Sequence, residues 1–191
     1  MSLSIDLDAL IRRWRPDKHT RHLVPRNLDK LVSAADILAS RRMFLVPDTT
    51  VYIHNAAGTL PGAVAALLDA ALQWHCAVCL AEITTGIANL DPAAIGWVAI
   101  EDTYAAVLDS IPGSRILVPD GATWLAAGFV TGTLARTQRL QRQQRKELLN
   151  DALIYLTAAK AGLPVLTANR GEFDLLQQVA GTGSFIHYAA I

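Results

Sequence analysis

Short apolar runs recur along this chain, separated by stretches with helical spacing, and several of them stop at or near an acidic residue. Residues 43–47 (MFLVP) run into Asp48, and residues 76–81 (CAVCLA) run into Glu82. Residues 115–118 (RILV) lie between Pro112-Gly113 and Pro119, and residues 165–167 (VLT) precede Asn169 and Glu172. Runs this short and this apolar predict strands buried on both faces, as in a parallel sheet. Strands alternating with helices predict an α/β chain: a three-layer α/β/α sandwich with a parallel sheet of about four to five strands. Residues 184–188 are expected as a final edge strand.

The helices follow from apolar spacing and from stop signals. Leu7, Leu10, Ile11 and Trp14 share one helical face, with Ser4 as the expected cap and Pro16 as the stop. Residues 16–26 are polar and basic and read as a linker. Asn27 is expected to cap a second helix carrying Leu28, Leu31, Val32, Ala35 and Leu38. Residues 1–42 are therefore expected to form an N-terminal helical extension, and residues 43–191 the α/β domain. Further helices are expected from Pro61 to Trp74, from Asp91-Pro92 to Leu108, and from Asp120 to Gln144 with a break near Gly132. Asn150 is expected to cap a helix that stops at Gly162-Leu163-Pro164. A last helix is expected over residues 172–179.

The chain has 191 residues, 52% of them hydrophobic, which is enough for one domain with a sizeable core. The charge-free run 121–135 is shorter than the ~18 apolar residues of a membrane helix and carries three Gly and three Thr. The first residues, MSLSIDLDALIRRW, lack a basic n-region followed by an apolar h-region, so no signal peptide is expected and the expected location is cytoplasmic. Cys76 and Cys79 form a lone CxxC. On a strand, residues three apart face opposite sides, so two buried, unlinked thiols are expected rather than a metal or disulfide site.

Charge is uneven along the chain. Residues 1–42 hold nine Lys/Arg against five Asp/Glu, residues 43–135 one against eight, and residues 136–191 seven against four. An acidic middle between basic flanks suits a metal site beside a polyanion, and equally an ordinary solvated surface. Arg136, Arg139, Arg142, Arg145 and Lys146 are expected on one helix just ahead of Asp151, as a solvated face or as a contact for RNA or for a protein partner. His54 and His75 are expected to be structural or surface residues, and Trp14, Trp74, Trp97 and Trp124 to fill cores and interfaces.

Each acid has a plain structural reading. Asp48 suits a helix cap, Glu82 a first-turn acid, Asp151 a residue next to the cap Asn150, and Glu172 a helix start after Asn169-Arg170-Gly171. Together they point elsewhere, because the carboxyl ends of parallel strands face one crevice. Two unpaired carboxylates ~4 Å apart repel by about 4 kcal/mol at an effective dielectric near 20. A hard divalent cation such as Mg²⁺ or Mn²⁺ removes that repulsion and prefers oxygen ligands.

In these residues the chain resembles the PIN-domain family, and in particular the VapC-like ribonuclease toxins. The resemblance covers roughly residues 43–188. It rests on Asp48-Thr49-Thr50 after the first strand, on Ala81-Glu82, on Asp151-Ala152-Leu153-Ile154 followed by Gly162 and Val165-Leu166, and on Thr167, Asn169, Glu172 and Phe173. Two departures stand out: Glu172 replaces the family's usual Asp, and residues 1–42 have no counterpart in a minimal PIN domain. The resemblance implies a Mg²⁺- or Mn²⁺-dependent endoribonuclease. Asp48, Glu82 and Asp151 would hold the metal, and Glu172 a second ion or a water. Thr50 and Asn169 would fix carboxylates and waters. It also implies a cognate antitoxin as partner, in a homodimer or a toxin–antitoxin hetero-oligomer, and no membrane. A non-catalytic PIN-like module binding RNA or protein is the alternative. An aspartyl-phosphate phosphotransferase using Asp48 is disfavoured, since Thr50 stands where such enzymes usually carry a second Asp.

Overall fold

A computed structural model of the chain describes residues 5–37 and 43–190. An interior strand is β2 (Phe44–Pro47), where Leu45 and Val46 are both buried but belong to different core clusters. The same alternation recurs on β6 (Val165–Thr167), where Val165 and Leu166 face opposite ways, and on β7 (Phe185–His187), with Phe185 and Ile186. A period of two with apolar residues at both phases means that helices cover both faces of the sheet. The result is the expected three-layer α/β/α sandwich.

The sheet is parallel throughout, in the order β1-β7-β6-β2-β3, with β1 at Val32–Ser33 and β3 at Leu72–Gln73. Beyond β3 the chain bends at Trp74, whose N–H donates to the Leu45 carbonyl at 2.9 Å. It then pairs β4 (His75–Cys76) with β5 (Ile116–Leu117). Helices connect the parallel strands, as crossover geometry demands. They are α2 (Thr49–Ala56), α3 (Gly62–Ala70), α4 (Ala77–Ala88), α5 (Trp97–Asp109), α6 (Gly121–Thr137), α7 (Arg142–Lys160) and α8 (Arg170–Ala180), after an N-terminal α1 (Leu7–Trp14).

Several expectations are corrected. The helix over residues 27–38 does not form: Leu28–Lys30 and Ala34–Asp36 are single 3₁₀ turns flanking β1, and Leu38 lies outside the described residues. Pairing of Val32 and Ser33 with Ile186 and His187 satisfies the backbone there, so the sheet overrides the local apolar stripe. It also means that β7 is not an edge strand. Helix α1 is capped by Asp6, whose side chain accepts from the Ala9 N–H at 2.9 Å; Ser4 lies outside the described residues. The N-terminal segment is pinned by Arg26. Its backbone N–H and its Nε donate to the two carboxylate oxygens of Asp174 on α8, at 2.7 and 2.5 Å.

Residues 77–81 are helix, not strand, because β4 ends at Cys76 and α4 starts at once. Cys76 and Cys79 consequently lie on one side of a helical turn, not on opposite faces of a strand. Both are buried free thiols, and the contact with Cys79 holds the Cys76 thiol below its usual range. Helix α6 runs straight through Gly132 and stops at Thr137. The turn that follows contains Arg139 with φ 56°, and α7 starts at Arg142. Asn150 is thus not a cap but sits mid-way along a 19-residue helix. The second half of α7 is buried all round, from Ala152 to Ala158, packed against α6, α8 and the sheet.

Candidate active site

The sequence makes Asp48 both a strand end and a helix cap. Its backbone leaves β2 in an extended conformation, and its Oδ1 accepts from the Thr49 N–H at 2.7 Å. Its Oδ2 accepts from the hydroxyls of Thr50 at 2.9 Å and Thr167 at 2.8 Å. Asp48 is only 2% exposed. Burial raises its proton affinity above the usual carboxylate range, opposed by those three hydrogen bonds and helped by the nearby charge of Glu82.

Glu82 reaches the same place from the middle of α4. Thr49 Oγ1 donates to its Oε2, and Asn150 Nδ2 donates to its Oε1 at 2.7 Å. Asp151, next along α7, accepts from Asn169 Nδ2 at 3.1 Å, and the same amide nitrogen donates to Glu172 Oε2 on α8. The proton affinity of Asp151 is pushed well above the ordinary range. Burial is the main cause, followed by its hydrogen-bonding contact with Glu172 and the charges of Asp48, Glu172 and Glu82. One carboxylate therefore senses all three others, and the four acids predicted from sequence come together at the carboxyl end of the sheet.

Thr50 and Asn169 both donate to acids of the cluster, Thr50 to Asp48 and Asn169 to Asp151 and Glu172. Thr50 Oγ1 also accepts from the Ala168 N–H at 3.2 Å, which ties Asp48 to the end of β6. The sequence reading missed three further groups: Thr49, Asn150 and Thr167. Thr49 stands between Asp48 and Thr50, Thr167 two residues before Asn169, and Asn150 next to Asp151, so adjacency is the available signal. His75 and His54 are structural, as expected. His75 is bonded through Nδ1 to the Tyr52 hydroxyl at 2.6 Å, and His54 through Nδ1 to the Tyr188 hydroxyl at 2.8 Å.

Among the described residues, no three His, Cys, Asp or Glu side chains are placed so that together they could hold a metal ion. The donor chemistry nonetheless fits a hard cation. The converging groups are carboxylate oxygens, their proton affinities are raised at Asp48 and Asp151, and Mg²⁺ takes only one or two carboxylates while keeping several waters.

The basic residues do not share one helix. Arg136 ends α6, Arg139 lies in the turn, and Arg142, Arg145 and Lys146 open α7. Arg136 Nη2 donates to the Pro16 carbonyl at 2.8 Å, and Arg145 Nε to the Leu140 carbonyl at 2.9 Å, so both hold backbone. Lys146 stands one helical turn before Asn150, on the same side of α7.

No protein-family model matches this chain, and no curated protein matches it. Solved structures do. A chain of VapBC2 from Rickettsia felis, bound to a promoter DNA fragment, is 14% identical, covering 69% of this chain and 90% of that one at a TM-score of 0.50. A chain of FitAcB from Neisseria gonorrhoeae is 21% identical, with coverages of 75% and 96% and a TM-score of 0.52. A chain of FitAB bound to an IR36 DNA fragment is 22% identical, with coverages of 74% and 94% and a TM-score of 0.52. At these identities the likeness is one of fold. Among the described residues no helix is long and apolar enough to cross a membrane.

Proposed function

We propose that this protein is a Mg²⁺- or Mn²⁺-dependent endoribonuclease and the toxin of a toxin–antitoxin pair. The observation that carries the reading is the convergence of Asp48, Glu82, Asp151 and Glu172, with the proton affinity of Asp151 raised by burial first and then by all three of its acidic neighbours. A site held for structure alone would pair such charges with cations. Here they are bracketed by neutral donors, Thr49, Thr50, Asn150, Thr167 and Asn169, which orient oxygens without neutralising them. The toxin role is favoured by the fold shared with VapBC2 and FitAcB chains together with the family pattern in the sequence.

In this reading Asp48, Glu82 and Asp151 would hold the cation, directly or through its waters, and Glu172 would orient water beside them. When bound, the cation makes water more acidic and offsets charge developing on a phosphodiester. Thr50 and Thr167 keep Asp48 Oδ2 facing the cluster, and Asn150 does the same for Glu82. Asn169 holds Asp151 and Glu172 at a fixed separation, so that a proton leaving the attacking water has a carboxylate oxygen ready to take it. Arg142 and Lys146 face the RNA backbone along the start of α7.

The test is hydrolysis of a labelled single-stranded RNA with Mg²⁺ or Mn²⁺, with and without chelator. Internal cleavage that needs the cation and disappears in a folded Asp48→Asn variant is expected. Cation-independent cleavage, or full activity in that variant, would overturn the assignment. RNA and divalent ions both bound without cleavage would favour the non-catalytic module instead.

A further inference from the structure

Leu28 and Ser33–Ala35 wall one side of a groove. The groove is about 590 Å³, within the size range of ligand pockets. Its N-terminal wall is Leu28 and Ser33–Ala35, held in place by the Arg26–Asp174 pair and by the pairing of β1 with β7. The facing walls are Pro61 and Ala63 at the start of α3, the end of β7 with His187, and Asn169-Arg170-Gly171 at the end of β6. Asn169 lines the groove while its amide donates to Asp151 and Glu172, so the groove opens beside the acid cluster.

Its charge is opposite to that of the cluster. No Asp or Glu lines it, and Arg170 is its one charged lining residue. Arg170 is exposed and forms no ion pair among the described residues. Burial, and then the neighbouring Arg170, keep His187 below its usual proton affinity against the opposing charge of Asp36, so its neutral ring offers one donor and one acceptor. A free guanidinium in a groove that shares Asn169 with the acid cluster is where a polyanion approaching that cluster finds compensating charge.

We propose that this groove holds the RNA strand on one side of the scissile bond. Arg170 takes a backbone phosphate, His187 a sugar or base edge, and Leu28 and Ser33–Ala35 form the wall that selects what fits. The substrate class rests on the nuclease reading above; the groove, its charge and its wall do not. A phosphate contact made by one arginine carries no sequence information, so selectivity lies with the wall and with His187.

The experiment uses the full chain in the Asp48→Asn background and a fluorescent single-stranded RNA of about ten nucleotides. Arg170→Gln is expected to raise Kd about five- to tenfold and to lower the slope of log K against log salt by about 0.7. Ala35→Trp and Ala63→Trp, both at exposed positions, fill the groove from opposite walls and should weaken binding further. In the Asp48-containing protein all three variants should keep the thermal shift given by Mn²⁺ alone, which shows that the fold and acid cluster survive. Unchanged Kd and salt slope in all three variants overturn the proposal, as does failure of the Asp48→Asn protein to bind the RNA. Displacement of the RNA by inorganic phosphate at its own low Kd would also overturn it, by marking a free-anion site. If the parent protein cleaves no RNA but its Kd still responds to Arg170→Gln, the nuclease reading fails and the groove assignment stands.

Discussion

The side-chain amide of Asn150 donates to Oε1 of Glu82 at 2.7 Å, across 68 positions of sequence. The residue beside it on α7, Asp151, belongs to the same cluster, so two consecutive residues of one helix serve two different carboxylates. Asn150→Ala is expected to lower RNA cleavage about 10–100-fold, as loss of an orienting partner does, with little change in melting temperature. Asn150→Asp should be worse than Asn150→Ala, because it sets a fifth carboxylate against Glu82. Equal cleavage by the parent and the Ala variant would show that Glu82 is held well enough by Thr49 alone.

Asp48 separates stability from activity. Burial disfavours its charged form, and the charge of Glu82 adds to that. Asp48→Asn keeps the size and the acceptor for Thr49, and removes the desolvated charge. Cation-free, the variant should melt at or above the parent temperature near neutral pH, while RNA cleavage falls below detection. A variant that melts well below the parent would mean that the Asp48 carboxylate holds the fold together.

How much of this was legible in the sequence depends on where the deciding contacts lie. Asp48 was readable because an apolar strand, an extended residue and a helix start occupy adjacent positions. Glu82 was readable as an acid of the site but not in its setting. The run 76–81 is equally apolar as strand or helix, and only the pairing of His75 and Cys76 with Ile116 and Leu117 decides that the strand ends first. Asn150 resembled a cap because the first two turns of α7 are polar and exposed, which hides the helix start at Arg142. Strand β1 was not legible at all. Two residues carry no period, and what makes them a strand is the free edge of β7.

His75 gives the fold a pH dependence of known sign. It is 7% exposed, bonded to Tyr52, and its pKa is lowered to about 4, by burial first and then by Arg115. Between that value and ~6.5 the unfolded chain binds the proton and the folded chain does not, so stability rises with pH across this window. The contribution is complete above the unfolded pKa and is lost as pH falls towards about 4. His75→Gln should flatten the dependence of melting temperature on pH in that range. An unaltered profile would assign the acid sensitivity to other groups.

The basic start of α7 is open to a direct measurement. Arg145 already holds the Leu140 carbonyl, whereas Arg142 and Lys146 are exposed. Replacing these two by Gln, which suits a helix equally well, should lower the salt slope of RNA binding by up to about 1.4, at ~0.7 per phosphate contact on a single strand. An unchanged slope would leave this face to solvent or to a protein partner.

Divalent cations should stabilise the protein, and more so at higher pH. At about 100 times its dissociation constant a ligand adds roughly 2.7 kcal/mol, worth about 5–10 °C for a chain of this size. Asp48 and Asp151 both have raised proton affinities in the fold. Their own contribution to cation-free stability is therefore complete below the unfolded carboxylate range and is lost as pH rises through the raised values. The cation binds the deprotonated forms, so it acts where that loss has occurred. The shift given by Mn²⁺ should thus be larger at about pH 8 than at about pH 5.5, since more of the carboxylate pair is ionised there. It should vanish in an Asp48→Asn/Asp151→Asn double variant. A shift of equal size at both pH values, or one that survives in the double variant, would place the ion away from this cluster.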